Sequence, residues 1–117
     1  MPSTRERVEM LIAMAMQGKF LEAIQEFYAE DAAMQENNQP PRVGLPALLE
    51  NERRVLATLK EIRINRADSF IVDGERSAIN WVYLFIDTHG REIHRNEIAY
   101  QVWRDGKIIS ERFFYAS

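Results

Sequence analysis

Three turn signals, Asp73-Gly74, Thr88-His89-Gly90 and Asp105-Gly106, divide the second half of the chain into stretches of alternating side chains. Asp-Gly pairs suit tight hairpins, so the stretches between them predict an antiparallel meander. In Ser77 to Ile86, period-two alternation places Ile79, Trp81, Tyr83 and Phe85 on one face and Ala78, Asn80, Val82, Leu84 and Ile86 on the other. Both faces are apolar, which predicts a strand covered by helices on one side and by a partner subunit on the other. Arg91 to Trp103 carries Ile93, Arg95, Glu97, Ala99, Gln101 and Trp103 on one face, with Ile98 and Val102 on the other. In Lys107 to Tyr115 the alternation groups Ile109, Glu111, Phe113 and Tyr115. Upstream, Ile62, Ile64, Phe70 and Val72 belong to a long strand that a bulge or turn at Asp68 and Ser69 interrupts.

The first half has the period of helices. Ser3 or Thr4 can cap a helix whose stripe is Val8, Leu11, Ile12, Ala15 and Met16, and Gly18 and Lys19 end it. Phe20, Ala23, Ile24 and Phe27 form the stripe of a second helix. Ala32 to Glu36 predicts a short strand; with Met34 facing the core, Glu36 also points inward. After the stiff Pro40-Pro41 turn, Pro46 opens a third helix on which Leu48, Glu52, Val55, Leu56 and Leu59 occupy overlapping faces.

A chain of 117 residues suits a single domain, 1–117. There is no cysteine, and hence no disulfide or thiolate chemistry. A net charge of -3 without a basic patch predicts no nucleic-acid partner. With no 18-residue apolar run and no secretory pattern at the N-terminus, the expectation is a soluble, cytoplasmic protein without a membrane partner. The five glycines lie singly, with no phosphate-binding loop, GxSxG or HExxH, and neither His89 nor His94 has a recognisable set of fellow ligands. No metal and no cofactor is expected. The second apolar sheet face, with Val82, Leu84, Ile98 and Val102, predicts a homodimer.

Helices followed by a strand meander make an α+β domain. Within that order, GKFLEAIQEFYAEDAAMQEN (Gly18 to Asn37), PRVG (Pro41 to Gly44) and WRDGKIISER (Trp103 to Arg112) resemble the NTF2-like superfamily, in its SnoaL-like and ketosteroid isomerase-like branch. The resemblance implies a cone: a strongly curved, antiparallel-dominated sheet wrapped over about three N-terminal helices, open at its wide end as a pocket. In the isomerase branch a carboxylate after the first short strand removes a proton next to a carbonyl, while a tyrosine and a protonated acid stabilise the oxyanion. By resemblance the base falls on Glu36 and the second acid on Glu97 or Ala99; the tyrosine position falls near Ile12, so that donor is missing. The implied function is a cofactor-independent isomerase, cyclase or dehydratase acting on a hydrophobic carbonyl compound, with Glu36 as general base. The alternative is a non-catalytic ligand-binding or dimerisation module, since the superfamily holds both.

The expected pocket lining is Tyr28, Met34, Trp81, Tyr83, Gln101, Trp103, Glu111 and Phe113. Enclosure by Met34, Trp81 and Phe113 would raise the pKa of Glu36 toward the range useful for a base; pairing with Arg42 would make it structural instead. Glu97 and Glu111 on one concave face would share protons, unless Arg95 and Arg112 pair them. Tyr28, Tyr83 and Tyr100 can each serve as hydroxyl donors or as core residues.

Overall fold

The computed structural model describes residues 2–116. Its elements are α1 (Thr4–Met16), α2 (Phe20–Phe27), β1 (Tyr28–Glu36), β2 (Arg42–Val43), α3 (Leu45–Ala57), β3 (Leu59–Asp73), β4 (Arg76–Asp87), β5 (Glu92–Arg104) and β6 (Lys107–Phe114).

A reciprocal cap starts α1: the Glu6 backbone N–H donates to Ser3 Oγ at 3.1 Å, and the Ser3 N–H donates to Glu6 Oε1 at 3.0 Å. Gly18 ends the helix with φ +80, allowing its N–H to reach the Ala15 carbonyl and the Lys19 N–H to reach the Met14 carbonyl. The buried stripe of α1 contains Val8, Leu11 and Ala15, but Met16 is exposed and Arg7 is buried. Arg7 is hidden because every direction from it meets a partner. Its Nε donates to the Gly106 carbonyl, its other nitrogens reach Glu26, and the guanidinium lies 4.3 Å from the Phe27 ring centroid. One side chain thus ties α1 to α2 and to the β5–β6 hairpin.

The strands form one six-stranded sheet in the order β2-β1-β6-β5-β4-β3. Four of the neighbouring pairs are antiparallel, and β1 with β6 is parallel. The expected strongly curved cone is not what the chain builds. The sheet is open, neither strongly curled nor closed: β2 and β3 stand at opposite edges, and β3 is hydrogen-bonded only to β4. The physical reason is in the edges. At two residues β2 is too short to carry the sheet around, and period-two alternation specifies faces, not curvature.

Bulges set the details of facing. The pairing of β3 with β4 shifts between Ala67 and Ser69, so Asp68 is the extra residue. A second shift opposite Val102 and Trp103 turns Ile108 inward, fully buried, so the inner face of β6 carries Ile108 and Glu111 in place of the expected Ile109 and Glu111. The hairpin between β5 and β6 turns at Asp105 and Gly106, both with positive φ. β1 is longer than expected, taking in Tyr28, which is buried with Ala32 and Met34 on the inner side.

All three helices lie against the inner sheet face. The core joins Val8 and Leu11 of α1, Ile24 and Phe27 of α2 and Leu48 of α3 to Ile79, Trp103 and Ile108 of the sheet. Burial of each such side chain is worth roughly 1.5–3 kcal/mol. Among the described residues, no helix is long and apolar enough to cross a membrane.

Candidate functional site

Between the helices and the inner face of the sheet the core leaves a cavity of about 160 Å³. The sheet contributes residues of five strands: Tyr28, Met34 and Glu36 from β1, Leu59 from β3, Trp81, Tyr83 and Phe85 from β4, Arg95, Glu97 and Gln101 from β5, and Glu111 and Phe113 from β6. Glu52, Val55 and Leu56 face them from α3. Along β4 the rings make a ladder, with Trp81 to Tyr83 at 5.8 Å and Tyr83 to Phe85 at 4.9 Å between centroids, both stacked. The body of the cavity is aromatic and aliphatic; its polar groups are mostly carboxyls.

Glu111 is the anchored carboxyl. Tyr28 OH donates to its Oε1, and Gln101 Nε2 donates to its Oε2 at 2.6 Å. The orientation of Gln101 follows from the residues behind it. Trp103 Nε1–H can only donate, and it donates to Ser77 Oγ at 2.9 Å; the Ser77 hydroxyl then donates to Gln101 Oε1 at 2.6 Å. The amide nitrogen is therefore turned toward Glu111. All five residues of this chain of bonds are buried. Burial raises the Glu111 pKa to about 7, against the lowering effect of the Tyr28 and Gln101 bonds and with a further push from the Glu52 charge.

Glu97 is the free carboxyl. It pairs across the sheet with Trp81 and is 7% exposed, yet among the described residues no protein group hydrogen-bonds its carboxyl oxygens. Desolvation raises its pKa to about 7; Arg95 opposes the rise, and Glu111, Glu36 and Glu52 add to it. The strand register that alternation alone left open is now fixed: Glu97 and Ala99 both face inward, with Glu97 in the cavity wall and Ala99 in the core.

Glu36 lies at the end of β1, where its side chain keeps 35% of its exposure. Tyr115 OH donates to its Oε1 at 3.0 Å, and Arg42 lies 3.6 Å from its Oε2. Both expected surroundings thus occur together, the cavity wall and the arginine partner. Arg95 stands nearby with its guanidinium 4.1 Å from the Tyr115 ring centroid.

Of the residues expected to line a pocket, Trp103 alone falls outside the wall; it lies 2% exposed in the core and reaches the site only through Ser77. Tyr100 faces the other side of the sheet, where it accepts a bond from Arg76 at 2.8 Å. His94 pairs with Glu92 on the surface. Pairing of Glu97 with Arg95 and of Glu111 with Arg112 does not occur: Arg95 stacks on Tyr115, and Arg112 bonds Asn37 and Asn38.

A family model described as SnoaL-like domain matches residues 8–111. The chain belongs to this family. No curated protein matches by sequence. Among solved structures, the SnoaL-like chain is similar to a SnoaL-like protein of Mesorhizobium loti, proposed to be a polyketide cyclase, with TM-score 0.84 and 20% identity over 97% of this chain and 100% of that one. It is similar to an NTF2-like protein of unknown function from Burkholderia pseudomallei, with TM-score 0.84 and 15% identity over 99% and 92% of the two chains. TerC, crystallised with polyporic acid, matches with TM-score 0.80 and 16% identity over 97% and 91%. At these identities the likeness shows the fold.

Glu52 in the cavity wall and Ser77 behind it are polar residues of the site that the sequence pattern did not single out. Glu52 was visible as a carboxyl within the apolar face of its helix, one turn after Leu48 and one before Val55. Ser77 gave no local signal, because its role exists only through Gln101 and Trp103, both distant in the chain.

Proposed function

We propose that the chain is a small-molecule enzyme moving a proton on a compact, apolar, carbonyl-bearing molecule, an isomerase, cyclase or dehydratase without a cofactor. The observation that carries this reading is Glu97, a residue 7% exposed whose carboxyl opens on the cavity and forms no hydrogen bond or ion pair among the described residues. A carboxyl that titrates near neutrality can both give and take a proton at working pH. Such groups cluster at functional sites. The familial tyrosine is absent near Ile12; Tyr83 lines the cavity from another element, while the Tyr28 hydroxyl is engaged with Glu111.

Glu36 takes the proton from the carbon next to the carbonyl. The C–H electron pair moves into the new C=C bond, and the carbonyl oxygen becomes an enol or enolate that Glu97 meets with its hydrogen. Return of the proton to a different carbon completes an isomerisation. Stabilising that oxygen is commonly the largest catalytic contribution, so Glu97 carries more of the rate than Glu36. A volume of about 160 Å³ resembles the roughly 150 Å³ apolar cavity that holds benzene. It matches a buried portion of about one ring.

Incubating the protein with a panel of small cyclic ketones in D₂O tests this directly, by NMR of deuterium entering the α-carbon. Protein-dependent exchange that falls at least 100-fold in Glu97→Gln and less in Glu36→Gln is expected, in line with the usual worth of a general acid or base. No exchange by the wild type with any ketone would leave the second reading, a binding module, which the small cavity favours. On the outer sheet face Ile98, Tyr100 and Phe114 are 41%, 39% and 42% exposed, and a second copy of the chain is the proposed cover. Sedimentation at high micromolar concentration should give a dimer mass; a monomer mass would remove that proposal.

A further inference from the structure

The charges around the cavity are unbalanced. Four glutamates, Glu36, Glu52, Glu97 and Glu111, and one arginine, Arg95, are in its wall. Glu36 has Arg42 beside it, whereas no cation lies within ion-pair distance of Glu52, Glu97 or Glu111 among the described residues. Arg95 acts on Glu97, opposing the rise of its pKa, but not on Glu52 or Glu111. Burial along the inner face of β5 deepens from Arg95, half-buried, to Glu97 at 7% exposure and Gln101 at 0%, which places Arg95 at the shallow end, stacked on Tyr115.

Glu52 is the centre of this imbalance. It is the carboxyl that approaches from the helix side, opposite the sheet, and its side chain forms no hydrogen bond or ion pair among the described residues. Its charge is felt by Tyr28, Tyr83, Glu97 and Glu111 alike, so it faces the same space as all four. Desolvation, then the Glu36 charge, raises its own pKa. A second sign of a ligand is the state of Glu97, which is more than nine-tenths buried in the cavity wall and whose carboxyl forms no hydrogen bond or ion pair among the described residues. Aromatic faces complete the surroundings, because the ladder of Trp81, Tyr83 and Phe85 offers the π surface on which cations rest.

We propose that the molecule bound here carries a positive charge, a primary or secondary ammonium on a body of about one ring, with the ammonium held between Glu52 and the aromatic ladder and its oxygen function turned to Glu97. This rests on the reading of the cavity as a small-molecule site and names the class of ligand that fills it. An ammonium supplies the cation that the wall lacks and relieves repulsion among the carboxyls. A carboxylate ligand would add to that repulsion.

Three probes of one size separate the outcomes in calorimetric titrations at pH 7 and low salt: benzylamine, which is an ammonium there, benzyl alcohol and benzoate. Benzylamine should bind about tenfold or more tightly than benzyl alcohol, a preference that a single well-placed ion pair can supply, and benzoate should bind worst. In Glu52→Gln the amine and the alcohol should come within about threefold of each other. If the alcohol equals or surpasses the amine in the wild type, the charge inference is overturned while the pocket reading stands. If none of the three binds at millimolar concentration, the pocket reading falls and takes this inference with it. An amine preference that persists unchanged in folded Glu52→Gln would remove Glu52 from the role. The wild-type comparison decides the ligand class even without the variant.

Discussion

Asp87, at the end of β4, and Glu97, on β5, have similarly small accessible areas, 6% and 7%, but Asp87 lies shallow in a turn and Glu97 deep in the cavity wall, and their carboxyls are displaced in opposite directions. Asp87 accepts from the Arg91 N–H at 2.9 Å, the His89 N–H at 2.8 Å and Arg91 Nε at 2.8 Å. The Arg91 backbone bond leads in lowering its pKa. Glu97 has no such donors, and desolvation raises its pKa to about 7. Accessible area alone therefore does not determine what a carboxyl does; the depth at which it lies and the donors that come with it do. The Asp87 site is complete within the chain, a clamp on the turn between β4 and β5. The Glu97 carboxyl receives no donor from its own chain among the described residues, and the proposed ligand would supply one.

Glu111 lies between these cases, with two donors and full burial, and its donors depend on the residues behind them. Trp103→Ala should cost about 3–5 kcal/mol of stability in urea unfolding, the usual loss for emptying a large buried aromatic site. The indole is 2% exposed and also directs Ser77 and Gln101. A loss below about 1 kcal/mol would show that the anchored end of the cavity is not held as the hydrogen bonds indicate.

Glu97→Gln should move stability the other way. The folded protein keeps the Glu97 proton up to about pH 7, while the unfolded chain releases it near the ordinary value of 4.5. A raised folded value means that wild-type stability is lost as pH rises between those limits. Glutamine has no proton to lose. At pH 8 the variant should therefore be more stable by up to about 3 kcal/mol, a gain that fades toward pH 4.5. Unfolding at a series of pH values checks it, and a variant less stable than wild type at pH 8 would mean that Glu97 has a partner in the folded chain.

Asp87→Asn should show the opposite dependence. Its folded pKa lies below the ordinary 3.8, so its contribution is present at neutral pH and is lost as pH falls through the folded value. The melting temperature of the variant should fall below wild type at pH 7, and the two should converge in acid. Parallel curves from pH 7 to pH 3 would break the contrast between the two carboxyls.

What could be read in the sequence followed the range of each signal. The Ser3 cap, the Asp105-Gly106 hairpin and most of the helix stripes depend on neighbours within a few residues and appear where the pattern put them, although Met16 and Val55 are exposed and Leu59, expected on the third helix, begins β3. Alternation also placed Glu97, Gln101 and Glu111 on one face. It could not foresee the bulge that brings Ile108 inward, which depends on pairing with Trp103 across the hairpin. Nor could it specify curvature, since an open edge at β3 and a two-residue β2 are matters of the whole sheet. The seat of Arg95 on Tyr115, and the lack of an ion-pair partner for Glu52 among the described residues, are likewise known only once distant elements meet.

The smallest effect is expected at the shallow end of the cavity. Arg42 and Glu36 keep 40% and 35% of their side-chain exposure at a separation of 3.6 Å, so solvent screens their attraction. Arg42→Ala should change stability by only about 0.2–1 kcal/mol, the range for exposed pairs. Tyr115 OH still holds Glu36 Oε1 in that variant, so the carboxylate stays in place. If Glu36 serves the reaction, deuterium exchange should respond to Arg42→Ala more than folding does, because the change removes a charge beside a reacting group. A large loss of stability with unchanged exchange would assign Glu36 to the same class as Asp87, a carboxylate completed by its own chain.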